Sequence, residues 1–173
     1  MMATSGVSFT IAHARRGDVP DLHRLVRELA EYERLTDLCV STVADLDVAL
    51  FGDRPVAEAL IARLDANSQE AAGFALFFHT YSTFLGRPSL WLEDLYVRPH
   101  FRRAGLGRRL LTTLAATAQA RGCGRFEWSV LDWNASAIGF YESLGARVLP
   151  DWRIARVTGS ALQDLASGAA EAA

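Results

Sequence analysis

The chain has 173 residues, half of them hydrophobic and 22% charged, with 18 Lys and Arg against 20 Asp and Glu for a formal net charge of −2. That composition excludes a disordered chain, and so even a charge balance argues against a protein that wraps nucleic acid, though a local basic patch can still bind a small anion. The length suits a single domain over residues 1–173, with a core from about 9 to about 167 that needs no covalent staples.

No apolar run is long enough to cross a membrane, the stretch 74–78 included, so a cytoplasmic protein with no membrane partner is expected. Cys39 and Cys123, with His13, His23, His79 and His100, show no metal-ligand spacing. The expectation is inert thiols in a reducing compartment and no metal.

In chain order, 9–11 reads as a first strand, and Asp18 stands where it can cap the helix marked by Leu22, Leu25, Val26 and Leu29. Thr42 and Asp45 make a capping box for a second helix that Gly52 ends. Residues 57–64 and 71–81 read as antiparallel strands joined through the turn 65–70, and Gly86, Arg87 and Pro88 form the next turn. The strand 90–97 follows. Regular alternation would put Leu92, Asp94 and Tyr96 on one side, and Trp91, Glu93, Leu95 and Val97 on the other. Each side then carries an acid among large apolar residues, so the strand either has two dry faces with functional acids or contains a bulge.

A helix over 106–121 has Leu106, Leu110, Leu111, Leu114 and Ala118 as its inner stripe, with Gly122 and Gly124 ending it. A strand over 126–131 and a short helix over 135–144 come next, the helix capped by Asn134 and closed by Gly145. Residues 146–149 and 153–157 are expected to form a terminal hairpin, 160–165 a last helix, and 168–173 a frayed tail. The pattern predicts a mixed α/β fold, a mostly antiparallel sheet with helices on both faces.

The turn Arg102-Arg103-Ala104-Gly105-Leu106-Gly107 leaves a strand and opens a long helix. A helix start offers unpaired N–H groups, and glycines let an anion approach them, so a phosphate is the expected ligand. Arg102 and Arg103 sit in the turn, while Arg108 and Arg109 either add charge or form solvated helix surface. A phosphate-loop lysine is missing, and the three-glycine dinucleotide spacing is not met.

This turn resembles the acetyl-CoA signature of the GNAT superfamily of N-acetyltransferases. Leu90-Trp91-Leu92-Glu93-Asp94-Leu95-Tyr96-Val97 and Trp133-Asn134-Ala135-Ser136-Ala137-Ile138-Gly139-Phe140-Tyr141 are similar to its diamine acetyltransferase subfamily, which includes spermidine/spermine and thialysine acetyltransferases. The likeness runs from about residue 11 to about residue 165. It implies the acyl-CoA N-acyltransferase fold, a twisted sheet whose central strands splay around coenzyme A, and a homodimer. It further implies transfer of acetyl from acetyl-CoA to the primary amine of a small molecule, a diamine, a polyamine or a thialysine-like amino acid. Another small amine metabolite or xenobiotic, or a non-catalytic acyl-CoA-binding module, is the alternative.

On that resemblance the cofactor lies against the backbone of Leu95, Tyr96 and Val97, the turn Arg102, Arg103, Ala104, Gly105, Leu106, Gly107 and Arg108, and Asn134 and Tyr141. Glu93 is the expected base, acting through water, and Tyr141 the acid that protonates the departing thiolate. A backbone N–H near Leu95 or Val97 is the expected oxyanion donor. Glu93, Asp94, Glu28, Glu127 and Trp128 are expected to meet the acceptor, with Glu31, Glu33, Asp132 and Glu142 as further acids. The aromatic residues Phe77, Phe78, Tyr81, Phe84 and Trp91 serve either as core or as apolar acceptor walls.

Overall fold

The computed structural model describes residues 8–65 and 70–171, and its contacts gather into two compact units that meet between Ser129 and Val130. The turn expected over 65–70 lies mostly outside the described residues. In the first unit, β1 (Phe9–His13), β2 (Glu58–Leu64), β3 (Ala71–Ser82), β4 (Arg87–Val97) and β5 (Phe126–Trp128) form one sheet in the order β1-β2-β3-β4-β5. The first three pairings are antiparallel, and β4 and β5 run parallel. Helices α1 (Val19–Tyr32), α2 (Val43–Phe51) and α3 (Leu106–Ala120) complete the unit. No described helix is long and apolar enough to cross a membrane.

One face of the sheet packs on α1 and α2. Leu22, Leu25, Leu29 and Leu50 meet Ala59, Ile61, Phe74 and Tyr96 in a single buried cluster. The opposite face belongs to α3, whose buried residues are the expected stripe Leu106, Leu110, Leu111, Leu114 and Ala118. The cross-strand pairs Leu60–Ala75 and Phe77–Leu92 line this second side. The helical period of the leucines and the two-residue period of the strands each bury one stripe, and together they close the core.

The expected caps hold in part. The Thr42 N–H donates to Asp45 and the Asp45 N–H donates to the Thr42 hydroxyl, closing the capping box of α2. Asp18 does not cap α1 with its side chain. Its carboxylate accepts the Arg15 N–H at 2.8 Å and the Arg63 guanidinium at 2.6 Å, so it closes the short helical turn before α1 and ties that turn to β2. The turn expected at 86–88 lies earlier, over 83–86, with Gly86 at φ +62°, so Arg87 and Pro88 belong to β4.

Two further departures concern β4 and β5. The register of β3 against β4 shifts between Leu76–Asp94 and Phe77–Leu92, leaving Glu93 as an extra residue. This is the bulge alternative for the strand. It turns Asp94 and Tyr96 to the same face as Trp91 and puts Leu92 with Leu95 and Val97, because one inserted residue reverses the alternation. The β4–β5 ladder ends at Leu92–Trp128, beside the bulge, so β5 stops at Trp128 rather than at 131. Among the described residues, the splay expected at the sheet's centre therefore lies between its last two strands.

Gly73 sits where β3 passes closest to β4. A Cβ there would stand 2.5 Å from the Tyr96 carbonyl oxygen, so only glycine allows the approach.

In the second unit, α4 (Ala135–Glu142) is capped by Asn134, whose Oδ1 accepts the Ala137 N–H at 3.2 Å. Gly145 at φ +89° follows its end, where the Ala146 N–H returns to the Tyr141 carbonyl. The hairpin expected over 146–157 does not form, and Val148, Leu149, Ile154 and Val157 are exposed. Two short strands with no third to cover them bury too little to persist. The last helix, α5 (Gly159–Glu171), is longer than expected and takes in most of the tail predicted to fray; 172–173 lie outside the described residues.

Replacing Leu25, fully buried under the sheet, by alanine is expected to cost about 2–5 kcal/mol, read as a lower urea midpoint at unchanged slope. A loss below about 1 kcal/mol would mean that α1 is not part of the cooperative core.

Candidate active site

The bulge assembles the acids. Glu93 is exposed and its Oε2 accepts the Trp91 indole N–H at 2.9 Å. Asp94, turned toward the α1 face opposite Leu76, is partly covered. Among the described residues no N–H, hydroxyl or cation hydrogen-bonds its carboxylate. Burial first, then the negative charges of Glu93 and Glu33, push the Asp94 carboxyl up to about 7. Burial also raises Glu33, the residue that ends α1. Asp94 thus feels the charge of both Glu93 and Glu33, and among the described residues no cation is paired with any of the three. Such a grouping favours a cationic guest and holds on to protons in its absence.

Arg98 and Arg102 flank this grouping and both are engaged elsewhere. The Arg98 guanidinium donates three hydrogen bonds to Glu28, two from Nε and one from Nη2 at 2.7 Å, and gives Nη1 to Glu70 at 2.9 Å. Glu28, expected to meet the acceptor, is therefore half of an ion pair that ties α1 to the end of β4. Burial, and then the Glu28 charge, also push the Tyr96 phenol up. Arg102 turns back from the glycine turn. Its Nε donates to the Val97 carbonyl at 2.9 Å, and its guanidinium lies 4.6 Å and 5.7 Å from the ring centres of Tyr32 and Tyr96. Its side chain is exposed, as that of Arg103 is, but it is tied to the end of β4.

The turn itself keeps the features of an anion cradle. Arg103 at φ +64° and Gly105 at φ +80° are both left-handed, and Gly105 precedes α3 without any side-chain cap. A Cβ on Gly105 would meet nothing within 4 Å, so glycine is set there by its backbone angle and by the open approach it leaves. Ala104 and Arg108 are exposed, Gly107 is partly covered, and Leu106 is buried in the core. Arg109 is drawn into the fold by a bond to the Phe9 carbonyl at 2.9 Å. Next to this turn, the β5-facing edge of β4 has no strand partner beyond Leu92, so backbone groups of the segment Leu95, Tyr96 and Val97 stand on an unpaired edge.

The remaining expected residues divide. Glu127 pairs with Arg125 at 2.8 Å, and Trp128 packs edge-on to Phe126 at 4.9 Å, both on β5. Phe77 is core, Trp91 serves Glu93, and Tyr81 and Phe84 are exposed on and beside the β3–β4 turn. Asn134 and Tyr141 belong to the second unit, where Asn134 caps α4 and Tyr141 sits 5.5 Å from Phe140 between ring centres. Nothing local in the sequence distinguishes Glu33 from the other acids, because its place beside Asp94 depends on the angle at which α1 crosses the sheet. Cys39 and Cys123 are free thiols. No group of metal ligands occurs among the described residues.

Known proteins resemble this chain along most of its length. The model described as Acetyltransferase (GNAT) family matches residues 22–146. A thialysine N-epsilon-acetyltransferase from Sus scrofa is 38% identical over 92% of this chain and 98% of its own length. An L-ornithine N5-acetyltransferase from Arabidopsis thaliana is 36% identical over 84% of this chain and 82% of its own. Among solved structures, an integron cassette protein from the mobile metagenome of V. cholerae superposes with a TM-score of 0.77 at 25% identity, covering 93% of this chain and 99% of that one.

The raised Asp94 carboxyl has a consequence for stability. Its folded value of about 7 lies above the ordinary 3.8, so between these limits the folded protein keeps a proton that the unfolded chain has released. Stability contributed by that proton is full below the unfolded value and is lost as pH rises through the folded one. Asp94→Asn is therefore expected to gain stability relative to the parent at pH 8 and much less at pH 4, read by thermal unfolding at both. An equal difference at the two pH values would show that Asp94 ionises as it does in water.

Proposed function

The chain belongs to the Acetyltransferase (GNAT) family, and from that premise we propose that it transfers an acetyl group from acetyl-CoA to the primary amine of a small polycationic molecule: a diamine, a polyamine or a thialysine-like amino acid. The observation that carries this reading is the uncompensated group Glu33, Glu93 and Asp94 beside the free edge of β4 and the uncapped start of α3. One region offers a seat for an anion and the other a seat for cations. The names of the ornithine and thialysine relatives point to acceptors of the same kind.

The residues present fit coenzyme A. The pyrophosphate takes the amides of the turn from Arg103 through Arg108, with Gly105 and Gly107 leaving the approach clear. The main chain of Leu95, Tyr96 and Val97 pairs with the pantetheine arm, and an N–H of that segment receives the negative charge that develops on the thioester oxygen. Asn134 serves the same ligand in addition to capping α4. Glu93, with Asp94 and Glu33, draws in the ammonium, and one carboxylate of the group takes its proton. The amine nitrogen then bonds to the acetyl carbon as the carbon–sulfur bond breaks, and the Tyr141 phenol supplies a proton to the sulfur. No covalent enzyme intermediate is needed when both substrates are bound together. The working form is a homodimer, and the exposed Trp152, Ile154, Leu162 and Leu165 are apolar side chains that a second copy can cover.

Release of free coenzyme A from acetyl-CoA, measured with putrescine, spermidine, thialysine, L-ornithine and uncharged primary amines, tests the reading. Turnover is expected with the polycationic acceptors. Acetyl-CoA binding without turnover across the whole panel would replace it with a non-catalytic binding module. Gly105→Val is expected to weaken acetyl-CoA binding by roughly tenfold or more, about 1.4 kcal/mol; unchanged affinity by calorimetry would place the pyrophosphate elsewhere. Tyr141→Phe is expected to lower kcat by roughly a hundredfold while leaving acetyl-CoA affinity intact, and an unchanged kcat removes it as the acid.

A further inference from the structure

We propose that Asp94, rather than Glu93, is the carboxylate that takes the proton of the acceptor ammonium, an assignment that rests on the amine acetyltransferase reading above. The register places the two acids differently. Glu93 is the inserted residue of the bulge, exposed, with one oxygen held by the Trp91 indole. Asp94 faces the α1 side of the sheet beside Tyr96, partly covered, and no hydrogen bond from the described residues occupies its oxygens.

The charged groups around Asp94 determine what it can do. Glu93 on its own strand and Glu33 at the end of α1 repel a second negative charge there. The cations of this side do not offset them. Arg98 is bonded to Glu28 and Glu70, and Arg102 to the Val97 carbonyl and the faces of Tyr32 and Tyr96. Tyr96, the neighbour on the same face, keeps its phenol proton, since burial and Glu28 push it up. Asp94 is thus a carboxyl whose proton affinity is raised to about 7, close to the pH at which an amine acetyltransferase must work. A base is most effective when its affinity for the proton lies near the working pH, because it is then both available and strong enough to accept.

The two acids divide the task. Glu93 and Glu33 provide negative charge that binds the ammonium, and the same charge raises the affinity of Asp94 for the proton. The amine nitrogen begins with three protons. The first passes to the Asp94 carboxylate, directly or through one water. The freed lone pair then forms the C–N bond while the C–S electrons leave with the sulfur. A second nitrogen proton leaves as the amide forms and balances the one that Tyr141 gives to the thiolate. Asp94 returns its proton to solvent, so one amine and one acetyl-CoA yield one amide, one free thiol and one proton. The inserted residue in β4 turns Asp94 to the α1 side, and the crossing of α1 brings Glu33 within reach of it.

The test is the pH dependence of kcat/KM for thialysine at saturating acetyl-CoA, which reports the groups of the enzyme with no amine bound, with putrescine as the second acceptor. The parent protein is expected to lose activity below about pH 7 with a single proton taken up. Asp94→Asn is expected to lower kcat by roughly 10²-fold or more and to abolish that limb. Glu93→Gln is expected to raise KM for the amine and to keep the limb at lower pH, because one repelling charge has gone. A limb that survives in the Asp94 variant and disappears in the Glu93 variant overturns the assignment and makes Glu93 the base. A parent enzyme that binds acetyl-CoA yet acetylates no amine defeats the activity reading instead. In that event a carbon-13 titration of the carboxyl groups still decides whether a group titrating near pH 7 is lost in Asp94→Asn, and its absence from the parent overturns the inference on its own.

Discussion

One residue too many in β4 organises the rest of the site. Across from Leu76 and Phe77 the strand has Asp94 and Leu92, and Glu93 between them has no partner. An inserted residue reverses the alternation of side chains and bends and twists the strand. The reversal lets Leu92 and Leu90 continue under α3 while Asp94 and Tyr96 turn toward α1. The end of the β5 ladder at Leu92 falls beside the same point, which leaves the rest of β4 with an open edge. The open edge of β4 and the placement of Glu93 and Asp94 thus have a common structural origin.

The charges near β4 fall into two classes that hydrogen bonding separates. Glu28, Glu70 and Arg98 form a compact set in which the guanidinium is largely covered and both acids are paired with it. Such a set joins α1, the start of β3 and the end of β4, and removing one partner from it leaves a poorly solvated charge behind. Glu33, Glu93 and Asp94 are the other class. They are close enough to raise Asp94, and no guanidinium is directed at them. A folded protein carries such an imbalance at a cost in stability, and that cost is offset when a cation binds. The glycine turn shows the same separation. All four of its arginines are exposed, but Arg102 and Arg109 are bonded to backbone carbonyls, while no such bond holds Arg103 or Arg108 among the described residues.

The sequence by itself determined the element order as far as α4, the five-residue stripe of α3, the capping box of Thr42 and Asp45, the Asn134 cap and the glycine turn. Each depends on residues within about one or two turns of one another, where local geometry leaves few choices. It also narrowed β4 to two possibilities, since an acid on each side of one strand does not suit a simple amphipathic pattern. Only the tertiary structure decided between them, because a bulge exists relative to a partner strand. The fates of Glu28 and Glu33 were closed to a sequence reading for a related reason. Both lie on or just beyond α1, and only the way α1 crosses the sheet sends one to Arg98 and the other to Asp94. The expected hairpin over 146–157 failed because alternating apolar residues specify a strand only where another strand is present to pair with it. Local pattern thus set what each segment could be, and the pairing of distant segments set which acid turns toward α1.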